Sequence, residues 1–197
     1  MKRLVIIGAG GHGRVVADIA NLNGYEDIIF LDDADVPIAK GKVADYKNYN
    51  DSDFIVAIGN NHIREKIQVM LSENGCKIVS LVHPDAVIGS DVVFGSGTAV
   101  MAGVVVNTGA RIGNGVILNT CCSVDHDCKI SDYCHISVGA HLAGSVSVGT
   151  LTFICAGVTV INNISVCDEC VVGAGAVVVD DIKNVGTYVG VPARGIV

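Results

Sequence analysis

The chain has 197 residues, half of them hydrophobic, with 24 glycines, few aromatics and no tryptophan, a composition that suits tight turns and stacked strands and not a helical bundle. Its 20 acidic and 13 basic residues give a formal net charge of −7, which argues against nucleic acid as a partner but leaves room for a small anion held by a few local groups. No apolar run is long enough to span a membrane, and the short LVII run after Met-Lys-Arg gives way at once to Gly, His and Arg, so the expectation is a cytoplasmic protein with no membrane partner.

Residues 2–7 (KRLVII) read as a buried strand. Gly8-Ala9-Gly10-Gly11-His12-Gly13 follows and matches G-x-G-x-x-G, and a helical pattern through Val15, Val16, Ile19 and Ala20 stops at Asn23-Gly24. A second strand, Ile28 to Leu31, ends in Asp32-Asp33. Strand, glycine turn, helix, strand and acid are the context in which such glycines let backbone approach a phosphate at a helix N-terminus. A third strand from Asp53 to Ile58, a helix over 61–73 and a short strand from Lys77 to Leu81 complete a Rossmann-like half domain over residues 1–81. Its length is close to one mononucleotide-binding half, whereas a dinucleotide lies across two. The expected ligand is therefore a nucleotide or nucleotide-sugar before NAD, with a purely structural glycine turn as the alternative.

From Val82 to Val178, every sixth residue is aliphatic or Phe, seventeen in a row without an insertion. If roughly 0.4 of local residues were of this kind, the chance in any of six registers is on the order of 10⁻⁶. The position two residues earlier, from Ala86 to Ala176, holds only small or β-branched side chains. This is the signature of a hexapeptide β-helix with three flat faces and about 18 residues per coil. Residues 82–197 are thus expected to form a left-handed parallel β-helix with a C-terminal cap.

Most polar residues of this region fall at turns. One stretch differs: Asp125-His126-Asp127, with His126 two residues past an inward position and so projecting outward. An imidazole beside carboxylates can act as a base near neutral pH. His135 and His141 are further outward candidates, and all three also fit an ordinary solvated surface. Of the eight cysteines, Cys122, Cys128, Cys134 and Cys170 fall on the small-residue position and read as structural thiols. Cys167 and Cys170 form a C-x-x-C without a second pair, so no metal site is expected. Lys183 and Arg194 are the cations nearest the chain end that could meet a coenzyme phosphate.

Five stretches, GAGGHG (8–13), FLDD (30–33), AIGNNHIR (57–64), GVILNT with VDHDC and CHISVGA (115–140), and YVGVPA (188–193), resemble in matching order the bacterial nucleotide-amino-sugar acetyltransferases of the sialic-acid O-acetyltransferase (NeuD-like) family. The similarity is strongest to its branch that acetylates UDP-4-amino sugars in bacillosamine synthesis. The resemblance implies acetyl-CoA as donor, a UDP-linked 4-amino-4,6-dideoxy sugar as acceptor, no metal, and a homotrimer with active sites in grooves between neighbouring β-helices. By position it implies His126 as general base, with Asp127 in the place of a Glu that raises its basicity; Asp127 and Asp125 both remain open as the contacting acid. Gly10, Gly11, His12, Asp32, Asp33 and Gly59 fall on nucleotide-sugar positions. Asn119 falls on a substrate position close to the base. His135, Gly144, Ala156 and Ala174 match acetyl-CoA positions. The implied reaction is direct attack of the amine on the thioester, with backbone N–H groups near Gly144 facing the oxyanion and no cysteine nucleophile. Competing acceptors are a sugar hydroxyl and the amine of a GDP-sugar. From another class, a non-catalytic nucleotide-binding trimer fits the fold, and a dehydrogenase fits least.

Overall fold

The computed structural model describes residues 2–196. The N-terminal body is a five-stranded parallel sheet in the order β3-β2-β1-β4-β5, made of β1 (Arg3–Ile7), β2 (Asp27–Leu31), β3 (Ala39–Gly41), β4 (Asp53–Val56) and β5 (Lys77–Ile78). Helices α1 (Gly11–Leu22) and α2 (Asn61–Glu73) provide crossovers, and a 3₁₀ helix spans Val43–Tyr49. The β1 and β4 strands are nearly uniform apolar runs because a central parallel strand is covered on both faces. The strand order reverses at β1, so the crevice beyond the C-terminal ends of β1 and β4 is where such a sheet binds ligands.

The strand expected from Lys77 to Leu81 is instead two strands in different sheets. Lys77–Ile78 pairs with β4, whereas Leu81–Val82 pairs with Ala99–Val100 and opens the β-helix. The break falls at Val79-Ser80, where the chain leaves one sheet for the other.

From Leu81 onward, two-residue strands recur every six residues and stack in parallel on partners 18 residues away. They build three faces of a left-handed parallel β-helix. The first face runs from Leu81–Val82 to Val171–Val172, the second from Val87–Ile88 to Val177–Val178, and the third from Val93–Phe94 to Ser165–Val166. The predicted inward ladder is buried from Val100 to Val178; Val82, Ile88 and Phe94, in the first coil, are only partly so. A cap closes the far end: Thr187–Val189 pairs with Val171–Val172 and then, antiparallel, with Arg194–Ile196.

The turns carry a third column. Every sixth residue from Asp91 to Gly175 is left-handed, with φ between 54° and 74°. That conformation costs a residue with a Cβ about 1 kcal/mol, and Gly, Asp and Asn fill most of these positions. Cys121, Tyr133, Ser145, Leu151 and Glu169 depart from that pattern, and Tyr133, Leu151 and Glu169 stack on one edge, between the third and first faces.

That edge is where the N-terminal body docks. The buried stripe of α2 is Asn61, Arg64, Gln68 and Leu71, three polar residues at helical spacing. They meet the backbone carbonyls that a β-helix turn exposes. Asn61 Nδ2 donates to Leu151 O (2.9 Å), and Gln68 Nε2 donates to Ser96 O (3.0 Å). The fully buried Arg64 guanidinium donates to Gly115 O (2.6 Å), Tyr133 O (2.7 Å) and Cys134 O on the β-helix, and to Ile58 O, Gly59 O and Asn61 Oδ1 on its own side. All six acceptors are neutral, and burial lowers the Arg64 pKa to about 10.

Candidate active site

The crevice at the end of β1 holds a cavity of about 500 Å³, lined by Gly10, Gly11, His12, Asp32, Asp33 and Gly59 among others. These are all six residues expected at a nucleotide-sugar site. The glycines of the turn divide by purpose. A Cβ on Gly13 would collide with the Gly8 carbonyl, and one on Gly8 would meet Ala57 O, so these two permit close packing of helix on strand. A Cβ on Gly10, Gly11 or Gly59 would meet nothing within 4 Å. Here the missing side chain leaves backbone bare to the cavity. Helix α1 starts at this point with no side-chain cap and no acid in its first turn, so its free N–H groups and positive dipole end suit an anion.

The two acids at the end of β2 also differ. The carboxylate of Asp32 accepts from Ala9 N (2.7 Å) and Ala34 N (2.8 Å), which fixes the glycine turn against the strand end. Asp33 is exposed and takes one backbone bond, from Val43 N, leaving the rest of its carboxylate free. His12 is mostly buried, and its Nε2 lacks a partner among the described residues; burial, with the charge of Arg64 second, lowers its pKa to about 4, so it is neutral at pH 7.

His126 and Asp127 form the turn between the second and third faces. Asp127 is left-handed, a conformation Asp tolerates, and its Oδ2 lies 2.9 Å from His126 Nδ1. Asp127 is thus the contacting acid of the two left open. Asp125 instead accepts the backbone N–H of His126. With Nδ1–H donated to Asp127, the free lone pair sits on Nε2. The Asp127 hydrogen bond and then the Asp125 charge raise the histidine's pKa. The Nε2 atom lies over Gly144 of the next coil, where a Cβ would come within 2.5 Å. Among the described residues, the Gly144 N–H has no acceptor.

The remaining candidates lie on the first face and its edge with the second. Asn119 Nδ2 is 3.0 Å from His135 Nε2, and its Oδ1 accepts from Thr120 N. An amide N–H there makes Nε2 the acceptor and places the His135 proton on Nδ1. His135 is not a surface histidine. It projects outward from the prism, but the N-terminal body covers it, leaving it 8 % exposed and stacked on Phe153 with centroids 4.7 Å apart. Burial, with Arg64 second, lowers its pKa to about 3. His135 and Phe153 wall a second cavity of about 460 Å³ that shares Gly59 with the first. Ala156 and Ala174 stack on successive coils of the adjoining edge, beside Gly157 and Gly175, whose missing side chains leave open space.

One expectation therefore changes. Asn119 does not lie close to His126 within one chain: seven residues carry the backbone past one face, so the two occupy different edges of the prism. A single chain joins His126, Asp127 and Gly144 on one edge. It joins Asn119, His135 and the two cavities elsewhere. Arg194 pairs with Asp180 at 3.6 Å on the exposed cap. Among the described residues, no three His, Cys, Asp or Glu side chains gather as a metal site requires, and no helix is long and apolar enough to cross a membrane. Sequence reasoning missed Arg64, although three polar residues at positions 61, 64 and 68 of one helix face were a readable sign of docking onto carbonyls.

Residues 3–71 match the family model described as the PglD N-terminal domain. The acetyltransferase domain of PglB from Neisseria gonorrhoeae FA1090 superposes with a TM-score of 0.95 at 38 % identity over all of both chains, and that domain has also been solved in complex with acetyl coenzyme A. PerB from Caulobacter crescentus, solved in complex with CoA and GDP-perosamine, superposes with a TM-score of 0.93 at 37 % identity, covering 100 % of this chain and 98 % of that one. The UDP-N-acetylbacillosamine N-acetyltransferase of Bacillus subtilis (strain 168) is 35 % identical over 99 residues, 45 % of this chain and 46 % of the relative. The match thus spans just under half the length of that curated relative.

Proposed function

Because the chain belongs to the PglD-like family of hexapeptide-repeat sugar acetyltransferases, we propose that it transfers an acetyl group from acetyl-CoA to the amine of a nucleotide-linked amino sugar. The observation that carries this reading is the His126–Asp127 pair, 2.9 Å apart, with Nε2 beside the Gly144 N–H and neither group hydrogen-bonded among the described residues. The acceptor amine gives a proton to Nε2 and attacks the thioester carbonyl carbon. Asp127 stabilises the imidazolium, and the Gly144 N–H faces the developing oxyanion. As the C–S bond breaks, the imidazolium returns the proton to the departing CoA sulfur. Among the described residues, the cysteines with a perturbed pKa all have it raised, chiefly by burial, and so are poor thiolate nucleophiles.

The nucleotide-sugar lies in the glycine-turn cavity, with its phosphates at the bare backbone of Gly10 and Gly11 and its nucleoside toward Asp33. A homotrimer would bring the His126 edge of one subunit to the first face of the next; the separation of His126 from Asn119 and His135 within one chain supports that arrangement. The preferred acceptor is a UDP-linked 4-amino-4,6-dideoxy sugar, by likeness to the Bacillus relative named above. The GDP-perosamine held by PerB favours a GDP-linked amine as the second reading. Thiol release from acetyl-CoA over a panel of UDP- and GDP-amino sugars tests both. His126→Ala should lower turnover by roughly 10²–10⁴-fold with the oligomer unchanged. The absence of thiol release with every amino sugar tested would overturn the proposal, and full activity in His126→Ala would remove the base.

A further inference from the structure

The turn that carries the base is gripped by the coils on either side of it. Asn107 stands 18 residues before Asp125, directly beneath it in the stack, and its Nδ2 donates to Asp125 Oδ1 at 2.6 Å. The same oxygen accepts the His126 N–H at 2.7 Å. The coil below also supplies a gap: a Cβ on Gly109 would stand 2.8 Å from Asp127 Oδ1. We infer that Asn107 is a positioning residue, which pins the Asp125 carboxylate beside His126 and so keeps a second negative charge facing the imidazole.

An exposed aspartate without such a tie would rotate into water, where its field at His126 is screened. Clamped between the Asn107 amide and the His126 N–H, it stays ionised and in place; both bonds hold its carboxyl below the usual range. Neither Asn107–Gly109 below nor Ala143–Ser145 above carries a titratable group, so among the described residues Asp125 and Asp127 are the acids acting on the ring. His141, on the strand above, lines a shallow cavity of about 190 Å³ together with Asn107 and Asp125, and its Nδ1 is engaged by Ser123 Oγ at 2.9 Å.

The inference rests on His126 as the base, and its test separates the two claims. The His126 titration is followed by NMR in the free protein and by the acid limb of kcat/KM, in Asn107→Ala, Asp125→Asn and the double variant. Asn107→Ala releases Asp125, so the His126 titration should move to lower pH, and kcat should fall about tenfold with the KM for acetyl-CoA unchanged. Asp125→Asn removes the charge itself and should move the titration the same way, and adding Asn107→Ala to it should move the titration no further. A purely structural residue would act alike in both backgrounds. No displacement in folded Asn107→Ala, or an equal further displacement in the double variant, overturns the role of Asn107. An active His126→Ala variant overturns the base instead, while the NMR displacement still reports on Asn107.

Discussion

The Nε2 atom of His126 lies where a side chain on Gly144 would need to be, 2.5 Å from its would-be Cβ. Gly144 has no positive φ to demand glycine, so its identity answers to the imidazole packed against it and not to its own backbone. Gly144→Ala should fold normally and lower kcat by roughly 10²-fold, because the ring must swing off its line to make room. Thiol release, paired with circular dichroism, reads both parts; unchanged turnover would show that the ring position does not matter.

On the proposed mechanism, Asp127 sets the pH response. A base works when neutral, and the wild-type pKa of His126 is raised, first by the Asp127 hydrogen bond. Asp127→Asn keeps the left-handed turn, which Asn tolerates, and removes the charge. The acid limb of kcat/KM should then move to lower pH while the plateau falls by about 10–100-fold. A limb that stays in place would assign it to another group.

The glycine turn offers a contrast within six residues. Gly13→Ala should prevent folding of the N-terminal body, since its Cβ collides with the Gly8 carbonyl. Gly11→Ala, in a helical position facing open space, should leave melting unchanged and weaken nucleotide-sugar binding at least about tenfold by blocking backbone approach. Titration calorimetry with a UDP-sugar checks this, and wild-type affinity would move the phosphates elsewhere.

Arg64→Met should cost about 3–5 kcal/mol, because it strands carbonyls on both bodies at once. Scanning calorimetry should resolve separate transitions for the two bodies. Arg64→Lys should not restore the single transition, since three donors on one nitrogen cannot span acceptors arranged around a planar fork. One cooperative transition in both variants would show that the bodies are joined by something else.

The β-helix was legible because its period is local: each inward side chain from Val100 to Val178 announces itself within six residues. The His126 turn was legible for the same reason, as polar residues interrupting a regular outer surface. Burial of His135 was not, since it depends on a domain arriving from 70 residues away, and its outward position within the repeat says nothing of that. The nearness of Asn119 to His126 that the resemblance implied does not hold within one chain, because the residues between them span a whole face of the prism. The choice between Asp125 and Asp127 needed the turn conformation, which places one carboxylate on the ring and the other on the backbone.

The stacking of residues 18 apart makes chain length a quantised variable in this molecule. An insertion of 18 residues at a turn beyond Val160 lengthens the rod by one coil and preserves the azimuth of every side chain. An insertion of six between Gly109 and Asp125 rotates everything downstream by a third of a revolution, carrying the His126 turn off the Asn107–Gly109 turn it stacks on. Length changes that keep every side chain on its own face are therefore whole revolutions, and only these leave the His126–Asp127 pair on its edge.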